Sequence, residues 1–146
     1  MNIAIINGPN LNMLGIREPE IYGECGYDAL CALVKAHGEA IGATITCYQS
    51  NHEGDLVDEI QRCYYDKVDG IVINPAAYTH TRVAILDAVK AVGIPTVEVH
   101  ISDVSAREDF RQISFVRAAC VKTICGHGLA GYTEAMDYLK SIIEAK

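Results

Sequence analysis

Five runs of strand length, each almost continuously apolar and rich in Ile and Val, recur along this chain at residues 2–7, 43–49, 70–74, 95–100 and 121–126. A strand that is apolar at nearly every position is one covered on both faces. Between the runs the apolar period lengthens to that of a helix. Leu30, Leu33, Val34, His37 and Ile41 share one helical face, and Leu56, Val57, Ile60, Cys63 and Tyr64 share another. Tyr132, Ala135, Met136, Leu139, Ile142 and Ile143 form a third. Ser50-Asn51-His52-Glu53 has capping-box spacing ahead of the second of these helices. Strand and helix in alternation predict an α/β fold, a parallel sheet with right-handed crossovers and helices on both faces. Five strands in 146 residues point to a flavodoxin-like three-layer sandwich in strand order 2-1-3-4-5, with residues 1–146 as one domain.

Composition narrows what such a domain does. Lys and Arg number 12 against 19 Asp and Glu, so the formal net charge is −7, which argues against nucleic acid or an anionic membrane as partner. No apolar run has transmembrane length, and Met1 leads into a strand rather than a basic, then apolar, leader. A cytoplasmic location is the expectation. None of the six cysteines (25, 31, 47, 63, 120 and 125) forms a C-x-x-C pair, so they read as reduced, mostly buried thiols.

Ligands of doubly wound sheets bind beyond the carboxyl ends of the strands. The segments that follow the strands here are Asn7-Gly8-Pro9-Asn10-Leu11-Asn12, Gln49-Ser50-Asn51, Asn74-Pro75-Ala76-Ala77-Tyr78-Thr79-His80, His100-Ile101-Ser102-Asp103 and Gly126-His127-Gly128. That edge lacks the Ser/Thr density of a flavin-phosphate loop, the strand-3 Asp of a receiver domain, a Cys-x5-Arg loop and any Walker or G-x-G-x-x-G pattern. What remains is proton-transfer chemistry and anion binding. A long polar loop over residues 8–23 has the length of a lid and carries Arg17 and Tyr22. Tyr22 is a base at neutral pH only if a cation such as Arg17 stabilises its phenolate; otherwise Arg17 pairs with Glu18 or Glu20 and Tyr22 packs. His100 at a strand end is either a general acid or a cap on a carbonyl. His80 lies at the expected start of a helix, where backbone N–H groups favour an anion, and Asp87 falls two turns further on. Arg107 and Arg111, at i and i+4, either clamp a carboxylate or pair with Glu108 and Asp109. A metal site has no H-x-H or H-x-x-x-H spacing among His37, His52, His80, His100 and His127, and would need ligands from separate loops.

Taken together, the strand-end blocks resemble the type II 3-dehydroquinate dehydratases over nearly the whole chain. The carriers are Asn7-Gly8-Pro9-Asn10-Leu11-Asn12, Gly15-x-Arg17-Glu18-Pro19-x-x-Tyr22-Gly23 and Gln49-Ser50-Asn51. Asn74-Pro75 with Tyr78-Thr79-His80-Thr81, Glu98-Val99-His100-Ile101-Ser102 and Ala106-Arg107-Glu108-x-Phe110-Arg111 complete them. The resemblance implies a hydro-lyase that needs neither metal nor cofactor and converts 3-dehydroquinate to 3-dehydroshikimate and water through an enolate. The step belongs to the shikimate route to aromatic amino acids or to quinate breakdown. It implies Tyr22 as base, Arg17 as the cation that tunes it, Asn10 as holder of the water at the enolate oxygen, and His100 as acid. Asn74, His80, Ile101, Ser102 and Arg111 would bind substrate, with Asp87 reaching in from a neighbouring copy of a dodecamer built from trimers.

Five positions depart from that pattern. Ala76 and Ala77 stand where glycines are usual, Asp103 and Ser105 alter the block after His100, and Leu86 replaces an arginine. A methyl at residues 76 or 77 would crowd the substrate or strain a left-handed backbone, and a carboxylate at Asp103 would repel an anion unless turned away or paired. The competing expectation is therefore a non-catalytic domain that keeps the anion pocket on the same scaffold.

Overall fold

The protein is described by a computed structural model covering residues 1–16, 20 and 26–146. The strands are β1 (Asn2–Asn7), β2 (Thr44–Gln49), β3 (Gly70–Asn74), β4 (Thr96–His100) and β5 (Lys122–Cys125). They form one all-parallel sheet in the order β2-β1-β3-β4-β5. The helices among the described residues are α1 (Tyr27–Ile41), α2 (Glu53–Tyr65), α3 (Val83–Val92) and α4 (Ala130–Glu144).

Side chains leave a strand alternately to its two faces, and two separate cores follow from that period. Ile3, Ile5, Val72, Val97 and Val99 pack with Leu30 and Val34 of α1 and with Tyr132, Ala135, Met136 and Leu139 of α4. Ala4, Ile6, Ile71 and Ile73 pack with Leu56, Ile60 and Cys63 of α2 and with Ile85, Ala88 and Val89 of α3. No described helix is long and apolar enough to cross a membrane.

Some local expectations need correcting. Leu33 is exposed, and the α1 face that meets the sheet is Leu30, Val34 and Gly38. A Cβ on Gly38 would lie 2.3 Å from Cγ1 of Ile45, so the absence of a side chain is what lets α1 lie against β2. Tyr64 is also exposed and meets Tyr65 edge-on; the buried face of α2 instead includes Glu59, whose carboxylate takes two N–H groups from Arg62. The helix α2 starts without a capping box. His52 is its N-cap, and Ser50, two residues ahead, accepts the His52 N–H at 3.0 Å and donates to Asp55 at 2.8 Å. Five free cysteines are described, of which Cys63 is buried and the others half-buried. Burial raises the Cys125 thiol, that of Cys63 to about 11, and those of Cys47 and Cys120 to about 12.

The carboxyl edge of the sheet is tied down before any ligand arrives. Asn7, Gln49 and Asn74 lie side by side in register at the ends of β1, β2 and β3. Gly8 then crosses over β3, its N–H donating to the carbonyl of Asn74 at 2.8 Å. A Cβ there would sit 2.6 Å from the carbonyl oxygen of Pro75, so only glycine permits the crossing.

Candidate active site

A cavity of about 240 Å³ opens at this edge, above β1, β3 and β4. Asn10, Asn74, His80, His100, Ile101, Ser102 and Arg111 all line it, as do Arg107 and the methyls of Ala76 and Ala77. Asp87 does not: it is exposed on α3, outside the lining. Arg17 and Tyr22, with most of the expected lid, lie outside the described residues.

Each wall has its own support. On the β1 side, Gln49 Nε2 reaches the Gly8 carbonyl at 3.1 Å and Oδ1 of Asn51 at 3.1 Å, and Asn51 Oδ1 accepts the backbone N–H of Asn10 at 3.0 Å. Asn10 takes a left-handed backbone with φ 70°, which Asn tolerates better than most residues. On the β3 side, Asn74 is buried and its amide has a fixed orientation. Its Nδ2 donates to the Tyr132 hydroxyl at 2.9 Å, its Oδ1 accepts the Ala76 N–H at 3.0 Å, and Tyr132 donates onward to Oδ1 of Asn7 at 2.6 Å.

His80 closes the single 3-10 turn Ala76–His80 rather than opening a helix, because α3 begins only at Val83. The expected helix-terminus anion site is therefore absent at His80. Its Nδ1 meets the Ile113 carbonyl at 2.6 Å, and the ring is desolvated enough that its pKa falls below the ordinary 6.5 despite that bond. A neutral ring that donates from Nδ1 keeps an acceptor lone pair on Nε2. Arg107 and Arg111 do not share a helix either, since separate 3-10 turns at Val104–Ala106 and Asp109–Arg111 divide them. Both still line the cavity. Arg111 gives its Nε to Glu108 at 2.6 Å, which orients the guanidinium and leaves its terminal amino groups for an anion.

The interior of β4 is not apolar throughout. Val97 and Val99 face α1 and α4, so Glu98 and His100, two residues apart, share the opposite face. Glu98 is 0% exposed, and its Oε1 lies 3.3 Å from Nε2 of His100, out of line for a full hydrogen bond. Burial opposes ionisation of Glu98, but His100 and the hydroxyls of Thr79 and Ser114 outweigh it and hold the carboxyl below its ordinary value. An ionised Glu98 against Nε2 makes that nitrogen the protonated one and leaves Nδ1 of His100 for the cavity. The arrangement is an imidazole steadied from behind by a carboxylate, in a pocket whose walls also carry a guanidinium and amide groups. It suits proton transfer to or from a small anionic substrate.

Residues 1–140 match the family model described as Dehydroquinase class II. The chain belongs to the class II dehydroquinases. A 3-dehydroquinate dehydratase of Clostridium acetobutylicum is 51% identical over 143 residues, 98% of this chain and 99% of that one. The 3-dehydroquinate dehydratase of Fusobacterium nucleatum is 54% identical over 141 residues, 95% and 96% of the two chains. The crystal structure of a type II dehydroquinase from Butyrivibrio crossotus superposes with a TM-score of 0.95 at 50% identity, covering 96% of this chain and 97% of that chain.

Within this dehydroquinase the unusual positions resolve differently from one another. Asp103 is exposed and spent on its own backbone: Oδ1 accepts Ser105 N at 3.1 Å and Ser105 Oγ at 2.6 Å, capping the turn Val104–Ala106. It is not part of the cavity wall, and its carboxylate is turned to Ser105. Ala76 does carry the strain expected of a missing glycine, with φ 52°. Ala77 does not share that backbone. Glu98, Thr79, Ser114 and Tyr132 were not picked out from sequence as members of the site. Period-2 alternation along β4 was the signal available for Glu98, which falls on the face of His100.

Proposed function

We propose that this chain dehydrates 3-dehydroquinate to 3-dehydroshikimate and water, without metal or cofactor. The observation that carries the proposal is the meeting, in one cavity, of a carboxylate-backed imidazole, His100, a guanidinium, Arg111, and the amides of Asn10 and Asn74. Membership of the class II dehydroquinases supports the choice of substrate. Arg111 takes the substrate carboxylate. Asn74, the neutral ring of His80, Ile101 and Ser102 take its hydroxyls. Tyr22, as a phenolate stabilised by Arg17, removes the proton beside the ketone, and the electron pair moves into an enolate. Asn10, through a water, stabilises the enolate oxygen, a preorganised dipole at the point where charge develops. The enolate then collapses, the C–O bond to the leaving hydroxyl breaks, and His100 supplies the proton that makes it water. Returning the proton from Tyr22 to His100 resets both groups, so the cycle is balanced.

Asp87, exposed on α3, is available to a neighbouring copy, as expected in a dodecamer built from trimers; a cytoplasmic location fits the same reading. Replacing Tyr22 by Phe tests the assignment. Turnover should vanish while affinity for a substrate analogue stays within roughly tenfold of the parent. A Phe variant that turns over normally would remove Tyr22 as the base.

A further inference from the structure

Ser114 is not part of the cavity lining, yet its hydroxyl lies against the buried carboxylate that backs His100. Its Oγ is 2.7 Å from Oε1 and 3.1 Å from Oε2 of Glu98, so it reaches both oxygens. A lone pair of the same Oγ accepts the backbone N–H of Arg117 at 3.2 Å, which leaves its one proton for the other side, where Glu98 and Thr79 Oγ1 lie. Thr79 Oγ1 adds a second donor to Oε1 at 2.6 Å and touches Ser114 Oγ. Two cationic side chains face this carboxylate, one at each oxygen. Nε2 of His100 stands 3.3 Å from Oε1, and the half-exposed guanidinium of Arg117 has its Nε 3.8 Å from Oε2. One orientation of the carboxylate thus reaches both partners, and Ser114 touches both of its oxygens.

We propose that Ser114 is a positioning residue for His100: it holds the Glu98 carboxylate in the orientation that turns Oε1 to the imidazole, and so fixes the ring with Nδ1 in the cavity. The inference rests on the reading of His100 as the acid. Without the hydroxyl only Thr79 still holds Oε1, so the carboxylate turns more readily towards Arg117 and the backing of the imidazole loosens. Substrate binding by Arg111, Asn74 and His80 does not run through Ser114, so the loss falls on kcat rather than KM.

The test is a cycle of Ser114→Ala, His100→Ala and the double variant, with kcat and KM measured on 3-dehydroquinate. The Ser114→Ala enzyme should lose roughly tenfold in kcat with KM within about twofold, the scale of one hydrogen bond to a charged group. In the His100→Ala background the same change should lower kcat by less than about twofold, because residues that act as a unit are not additive. Ser114→Thr, which keeps the hydroxyl, should recover most of the loss. If Ser114→Ala does not fold, Ser114→Thr compared with the poorer donor Ser114→Cys carries the same contrast. Wild-type kcat in Ser114→Ala, or an equal loss with and without His100, would overturn the positioning role. A His100→Ala enzyme with wild-type kcat would instead overturn the acid assignment, and the inference with it.

Discussion

Ala76 offers a stability prediction that isolates one term. Its φ of 52° places an L-residue in the left-handed region, at a cost of about 1–2 kcal/mol relative to glycine. Replacing it by glycine removes that strain but frees the unfolded chain, which costs about 0.4–1 kcal/mol. The half-buried methyl packs against the core beneath α1 and α4, and losing it costs about 0.4 kcal/mol, half a buried methylene. The net effect of Ala76→Gly is therefore close to neutral or stabilising by about 0.5 kcal/mol. Ala77 is the internal control. It is exposed and has no left-handed backbone, so Ala77→Gly carries the unfolded-state cost with no strain to relieve, and destabilises by about 0.5–1 kcal/mol. The two glycine variants, adjacent in sequence, should differ by about 1 kcal/mol in urea unfolding at unchanged m-value. Equal destabilisation by both would refute the claim that Ala76 stores backbone strain.

Three further outcomes follow from the geometry. Gly8→Ala should destabilise the fold by more than about 2 kcal/mol in the same assay, because a Cβ 2.6 Å from the Pro75 carbonyl forces β1 off β3; a wild-type midpoint would contradict the crossing. Glu98 has a folded pKa below the ordinary 4.5, so its stabilisation is present above 4.5 and is lost as pH falls through the lower folded value. The stability gap between the parent and Glu98→Gln should therefore narrow on acidification below 4.5, and a gap independent of pH would show that Glu98 is not ionised in the folded state. Arg111→Lys should raise KM by about tenfold or more with kcat little changed, since an ammonium cannot hold a carboxylate through paired donors while also serving Glu108; a fall confined to kcat would place Arg111 in the chemistry instead.

The sheet and its order were legible because they rest on periods that only side-chain burial controls. The apolar runs that became β1, β3 and β4 are buried at nearly every position. What was misjudged lies where a residue type carries no apolar signal. Gly38 reads as a blank in a helical pattern, yet its missing side chain brings α1 onto β2, and it is Gly38 and not Leu33 that joins Leu30 and Val34 on the buried face. The site was legible as a set of strand ends, which is why Asn10, Asn74, His80, His100, Ile101, Ser102 and Arg111 could be named together. Its supports were not. Thr79 and Ser114 are 35 positions apart and meet only because the Phe115 N–H bonds to the Thr79 carbonyl at 2.8 Å, laying one loop over another. Tyr132 looked like core from its spacing. It is core, and its hydroxyl also sets the orientation of Asn74.

The most direct test of the central claim is turnover itself. Purified protein is mixed with 3-dehydroquinate, with and without EDTA, and the ultraviolet absorbance of the conjugated enone product is followed. A steady rise of equal slope in both samples is the result predicted for elimination by Tyr22, Arg17, Asn10 and His100 alone. A rise abolished by the chelator would contradict the metal-free mechanism, and no rise from folded protein would contradict the dehydratase assignment.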